Sequence, residues 1–181
     1  MAVSLDDAEW RVLPSDAVVR AGLLVGTELD RPKARELARE LRRGRALSHA
    51  ARALGRRDLS EQELDARLRR AGFTPDARSG ASELLARAGV LDDGRFARSR
   101  ARQLAERGHG DGAIRLDLEQ RGVAAEQVEH ALLALEPERA RAERLVAERG
   151  RGPATARLLA RRGFSEDVVA FAADLGIGYE D

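Results

Sequence analysis

A short unit, Leu-x-x-x-Gly followed at once by an apolar residue, occurs three times and constrains this 181-residue chain more than any other feature. It runs from Leu68 to Gly72-Phe73, from Leu118 to Gly122-Val123 and from Leu159 to Gly163-Phe164. In each copy an arginine-rich amphipathic run leads into the glycine, and a new helical pattern starts within two residues of the apolar side chain. A glycine there supplies the left-handed turn that ends a helix, so each copy reads as helix, stop and helix. Such repetition predicts an array of small helical modules.

Around the repeats the pattern resolves into three three-helix modules, at 45–91, 92–136 and 137–176, behind an N-terminal accessory element at 1–44. At the start, Val3 and Leu5 precede Asp6-Asp7, and Trp10 and Val12 follow it, which predicts a β-hairpin. Two strands alone are marginal, so the hairpin must lean on a helix, with Trp10 expected in that small core rather than as a base-stacking platform. One or two helical turns are expected over 14–20 and a glycine-punctuated connector over 22–29. A helix follows over 32–43, with Leu37 and Leu41 inward and Gly44 ending or bending it.

In the first module a narrow stripe of Leu47, Ala50, Ala51 and Leu54 is followed by Ser60 and Glu63, a capping box opening a helix that buries Leu64, Leu68 and Ala71. Thr74-Pro75-Asp76 opens the third helix, whose apolar face is interrupted by Arg78 and Gly80, so it is expected to be the least stable of its module. The second module turns Phe96, Ala97, Ala101 and Leu104 inward, breaks at Gly108-His109-Gly110, then buries Ile114 and Leu118, with Leu116 a further candidate, and finally Val128, Ala131, Leu132 and Leu135. The third buries Ala142, Leu145 and Val146, then Leu158 and Leu159 behind Pro153, then Val168, Val169 and Phe171 behind a Ser165 cap. Gly176-Ile177-Gly178 is expected to end the fold, with 179–181 as a tail. No module has enough large apolar residues to stand alone, so an elongated, curved stack is expected.

The junction between the first two modules carries a distinctive string, Gly89-Val90-Leu91-Asp92-Asp93-Gly94-Arg95-Phe96-Ala97. Together with the repeat it resembles the RecX family, whose usual string is close to Gly-Leu-Leu-Asp-Asp-x-Arg-Phe-Ala; only Val90 departs, conservatively. The resemblance covers roughly residues 46–175. It implies a regulator that binds the bacterial recombinase RecA and lies in the groove of its filament on DNA; a monomer is expected. There it would modulate, mostly inhibit, the recombinase, ATPase and coprotease activities, and so restrain recombination and the SOS response. The alternative is a stand-alone helical DNA-binding protein such as a transcriptional repressor, which would bind DNA sequence-selectively. A RecX-type protein would show weak, salt-dependent, sequence-blind DNA contact and tighter association with RecA on single strands.

Little in the chain suggests catalysis. Cysteine is absent, which removes disulfides and thiolate metal sites, and His49, His109 and His130 lack the spacing of a zinc site. No nucleophile elbow, phosphate-cradling loop or dinucleotide fingerprint occurs, so a non-enzyme without metal or cofactor is expected. Asp92-Asp93 reads as a helix cap in preference to a partner contact or metal site. The start is mixed and polar and no apolar run reaches membrane length, so no membrane contact and a cytoplasmic location are expected.

The charge pattern points to the surface. A net charge of +1 hides a regular alternation: residues 45–72 carry seven Arg against four acids, 73–93 two against four, 94–122 seven against four, 123–136 none against three, 137–164 eight against three, and 165–181 none against five. The first two helices of each module are therefore basic and the third acidic. If the modules stack in register, Arg67, Arg70, Arg98, Arg102, Arg121, Arg157, Arg161 and Arg162 would form a broken stripe suited to phosphates or to an acidic groove. Aromatic residues make up only 3% of the chain, so nucleic-acid contact through the stripe would follow the backbone, without base stacking.

Overall fold

The computed structural model describes residues 1–173, which form a two-stranded hairpin and ten helices. The stop expected at Gly176-Ile177-Gly178 and the tail lie outside the described residues. The chain divides into two compact units: residues 1–58 with 64–91, and residues 59–63 with the chain from 92 onward.

In the first unit, β1 (Ala2–Leu5) pairs antiparallel with β2 (Ala8–Val12). Asp6 and Asp7 between them both take positive φ, 50° and 63°, the conformation of a primed turn that matches strand twist. The hairpin leans on helices through Val3, which packs against Leu13, Val18 of α1 (Ser15–Arg20), Ala21 and Leu37. Trp10 is not in this core: β2 is exposed along its length, and Arg11 lies 5.4 Å from the indole centroid. The buried anchor is Leu13, one residue past the strand, which leaves the Trp10 side facing outward.

Gly44 does not end its helix; α2 runs on over Arg31–Leu54. Asp30 caps its start, accepting from the Lys33 N–H at 2.8 Å. Helix residues advance about 100° each, so Leu37 and Leu41 lie on one side, while Ala46, Ala50 and Ala53 lie nearly opposite. The first half of α2 is buried against the hairpin and α1, and its second half buries the opposite side in the first module. A change of buried face reads in sequence like an end. Glycine within the helix costs about 1 kcal/mol relative to alanine, small against burial at both ends.

The helices α3 (Glu61–Arg70) and α4 (Pro75–Arg87) complete the first module, with Leu64, Leu68, Ala77, Ala81 and Leu85 buried. Arg78 does not leave a gap in this packing. Its Nε donates to Asp65 at 2.6 Å and another guanidinium nitrogen donates to the Phe73 carbonyl at 3.2 Å, so a paired charge takes the place of an aliphatic contact.

The second unit holds two similar bundles. One is α5 (Asp93–Glu106), α6 (Asp111–Gln120) and α7 (Ala125–Leu133) around Phe96, Leu104, Ile114, Leu118, Val128 and Leu132. Leu116 is outside that core, exposed on α6, because Ile114 and Leu118 at i and i+4 take the inward face. The other is α8 (Glu138–Arg149), α9 (Pro153–Arg161) and α10 (Glu166–Ala173) around Ala142, Val146, Leu159, Phe164 and Val168.

The repeat now has a geometric meaning. Gly72, Gly122 and Gly163 take φ of 82°, 76° and 77°, and the apolar residue after each donates its N–H to the carbonyl of the leading leucine: Phe73 to Leu68 at 3.2 Å, Val123 to Leu118 at 3.1 Å, Phe164 to Leu159 at 3.1 Å. This is the six-to-one bond of a Schellman stop. All three leucines are fully buried, so one residue both anchors the helix and accepts its closing bond.

Candidate docking surface and the joints between modules

The second helix of each module meets its neighbour end to end. Ser60 and Glu63 close the expected capping box, with the Glu63 N–H donating to Ser60 Oγ at 3.1 Å and the Ser60 N–H donating to the Glu63 carboxylate at 3.4 Å. The Ser60 hydroxyl then donates to the Arg121 carbonyl at 2.6 Å. In the following module the Gly110 N–H donates to the Arg162 carbonyl at 2.8 Å and the Gly112 N–H to the Gly163 carbonyl at 3.0 Å. In both joints the first turn of one helix, with its orphan donors and positive dipole end, meets the orphan carbonyls at the end of the next. There is no room for a side chain: a Cβ on Gly110 would overlap the Gly163-Phe164 peptide, and one on Gly122 would overlap the Gln62 side chain.

Carboxylates from the first helices lock the same joints. Asp93 accepts from the Glu61 N–H at 2.8 Å, and Glu138 accepts from the Asp111 N–H at 2.7 Å. The Asp92-Asp93 pair therefore caps two helices, Asp92 serving α5 by accepting from the Arg95 N–H at 2.8 Å and Asp93 serving α3. Burial pushes the Asp93 carboxyl up from its ordinary value. Glu138 also receives the Ser165 N–H at 3.2 Å and its hydroxyl at 2.6 Å, which ties the start of α10 to α8.

Arginines brace these joints. Arg141, 5% exposed, donates to the carbonyls of Glu136 at 3.0 Å and His109 at 2.8 Å and to the Asp111 carboxylate. Burial pushes Asp111 upward, and the Arg141 charge opposes that shift. At the other joint Arg100 grips Asp117 in a two-pronged pair at 2.9 and 2.8 Å, while Arg121 bonds Asp117 at 2.8 Å and also pairs with Glu63. The hydrogen bonds from Arg100, then those from Arg121, hold the Asp117 carboxyl far below the usual carboxylate range against its burial. Arg100, Arg141, Asp117 and Glu138 were not candidates from sequence, because an arginine on a basic helix gives no sign of whether it faces a neighbouring module.

Of the eight arginines singled out by charge pattern, two sit at these joints. The Arg121 guanidinium is shared by two carboxylates, and the half-buried Arg162 lies against Gly108. On α5, Arg98 and Arg102 are exposed one turn apart, away from the buried Phe96, Ala97, Ala101 and Leu104. On α9, Arg157 and Arg161 repeat that spacing opposite Thr155, Ala156 and Leu159. None of these four has an ion-pair partner among the described residues. In the first unit, Arg70 on α3 is exposed, whereas Arg67 is half-buried with an Nε that finds no acceptor. Among the described residues no group of three or more His, Cys, Asp or Glu could hold a metal ion, and no helix is long and apolar enough to cross a membrane.

Known proteins are similar to this chain in sequence and in fold. A "Regulatory protein RecX" of Halorhodospira halophila is 39% identical over 134 residues, covering 68% of this chain and 83% of the relative, and one of Chromohalobacter salexigens is 38% identical over 132 residues, covering 68% and 87%. The chain belongs to the RecX family. Within it, the family's second three-helix domain matches residues 92–132, which are α5, α6 and α7. A crystal structure of regulatory protein RecX shares the fold, with a TM-score of 0.83 at 21% identity over 94% of this chain and 92% of that one. The RecX structure from Lactobacillus salivarius aligns with a TM-score of 0.64 at 20% identity, over 72% and 94%.

Proposed function

We propose that this RecX-family chain is a non-enzymatic regulator that binds RecA and its filament on DNA in the cytoplasm and, mostly by inhibition, modulates its recombinase, ATPase and coprotease activities. Membership in the RecX family is the observation that carries the reading. The outward arginines supply a physical means. Arg98 and Arg102, Arg157 and Arg161, and Arg70, with the half-buried Arg67 one turn before it, are the proposed contacts to RecA and, weakly and without sequence preference, to DNA phosphates. Similar basic pairs on successive modules suit a filament, because a monomer can then touch repeating subunits at once and gain affinity from several weak contacts. Arg121 and Arg162 support the surface indirectly, through the joints they complete.

The test is titration of the protein into RecA-driven ATP hydrolysis on single-stranded DNA. Inhibition by the wild type is expected, with much lower potency for Arg98→Glu/Arg102→Glu/Arg157→Glu/Arg161→Glu. ATP turnover unchanged at every concentration, together with sequence-selective duplex binding, would favour a stand-alone DNA-binding protein.

A further inference from the structure

Arg39, Arg42 and Arg43 fall at i, i+3 and i+4 on α2, on the side that later buries Ala46, Ala50 and Ala53. Where that side runs past the first turn of α4, the two helices bound an open groove of about 580 Å³, within the first unit. Some of its donors are unused. Arg42 has no ion-pair partner among the described residues, and Arg43 Nε is wholly buried without an acceptor. On the α4 wall the Thr74 side chain makes no capping bond, and the first-turn N–H groups have no intrahelical acceptors. Gly80 completes the arrangement, since a Cβ there would overlap the Arg43 guanidinium, which lies flat against the helix. Two carboxylates also line the groove, Asp76 and Glu83, the latter engaged by Ser79 at 2.8 Å and Arg87 at 3.8 Å, and behind the arginines Glu36 pairs with Arg39 at 2.9 Å and Glu40 with Arg43 at 3.8 Å.

We infer that this groove binds the phosphodiester backbone of a nucleic-acid strand. Three guanidinium groups and a helix start favour phosphate. No aromatic residue lines the groove, so bases are not stacked there and the strand is held by its phosphates alone. Arg39 and Arg42–Arg43 are about one 5.4 Å helical turn apart, a reach that suits successive phosphates better than one small anion. The site lies outside the surface proposed to meet RecA and does not depend on it.

The experiment uses fluorescence anisotropy of a labelled oligothymidylate across a salt series, without RecA, on the full chain. Arg39→Ala/Arg42→Ala is expected to weaken binding on the order of tenfold and to reduce the slope of log affinity against log salt by about 1.4, two phosphates at about 0.7 each. Gly80→Ala keeps every charge but displaces the Arg43 head, so it is expected to weaken binding while the melting temperature holds or rises, since alanine favours a helix interior. Wild-type affinity and slope in both variants would overturn the inference. So would inorganic pyrophosphate binding as tightly as the oligonucleotide, which would mark a small-anion site.

Discussion

Gly110→Ala tests the joint between the second and third modules with a single methyl group. Gly110 sits at φ −80° and ψ 169°, which alanine adopts without strain, so any loss must come from contact. The added Cβ would overlap the backbone of Gly163 and Phe164, which cannot rotate away as a side chain can. Overpacking of this kind costs about 1–3 kcal/mol. Retreat of the α9 end would also stretch the Gly110–Arg162 and Gly112–Gly163 hydrogen bonds, now 2.8 and 3.0 Å, each worth about 0.5–1.5 kcal/mol. A total of about 2–6 kcal/mol is expected, a fall in Tm of roughly 4–24 °C for a chain of this size, read by circular dichroism on thermal and urea unfolding. Gly112→Ala should do less, because its Cβ would stand 3.0 Å from the Gly163 carbonyl oxygen. A Gly110→Ala protein as stable as wild type would refute the end-to-end contact.

The remaining expectations are briefer. Arg141→Met should destabilise by about 3 kcal/mol, because the partly buried Asp111 loses its cation, and adding Asp111→Asn should recover part of the loss in urea unfolding. Asp117 has a depressed folded pKa, so its contribution is fully present above the ordinary carboxylate value of about 4 and is lost as pH falls through the folded one. Asp117→Asn should therefore flatten the fall in stability below about pH 4, and an unchanged slope would contradict the Arg100 and Arg121 pairing. Gly44→Ala should raise stability by about 1 kcal/mol, since its Cβ would meet only Arg20 at an ordinary 3.8 Å; a loss would speak against a continuous α2.

What the residues disclosed beforehand was mostly local. The glycine stops, the Ser60–Glu63 box and the Asp92 cap depend on neighbours within a few positions, and each forms as the pattern implies. Expectations failed where distant residues decide. The continuity of α2 was hidden because its buried side reverses near Gly44, and Trp10 was misplaced because Leu13, beyond the strand, fills the small core. Arg121 illustrates the limit for the docking surface: on its own helix it is one more basic residue before a glycine. Only Ser60, 61 positions earlier, shows that its carbonyl closes a joint. Arg141 carries the same lesson, since nothing in a basic run marks one guanidinium as 5% exposed.

The most direct measurement is the dissociation rate of this protein from RecA filaments assembled on single-stranded DNA with a non-hydrolysable nucleotide, wild type against Arg98→Glu/Arg102→Glu/Arg157→Glu/Arg161→Glu. If the outward arginines of α5 and α9 form the docking surface, the variant leaves at least about tenfold faster at low salt, and the difference narrows as ions screen the charges. Equal dissociation rates for the two proteins at every salt concentration would contradict it.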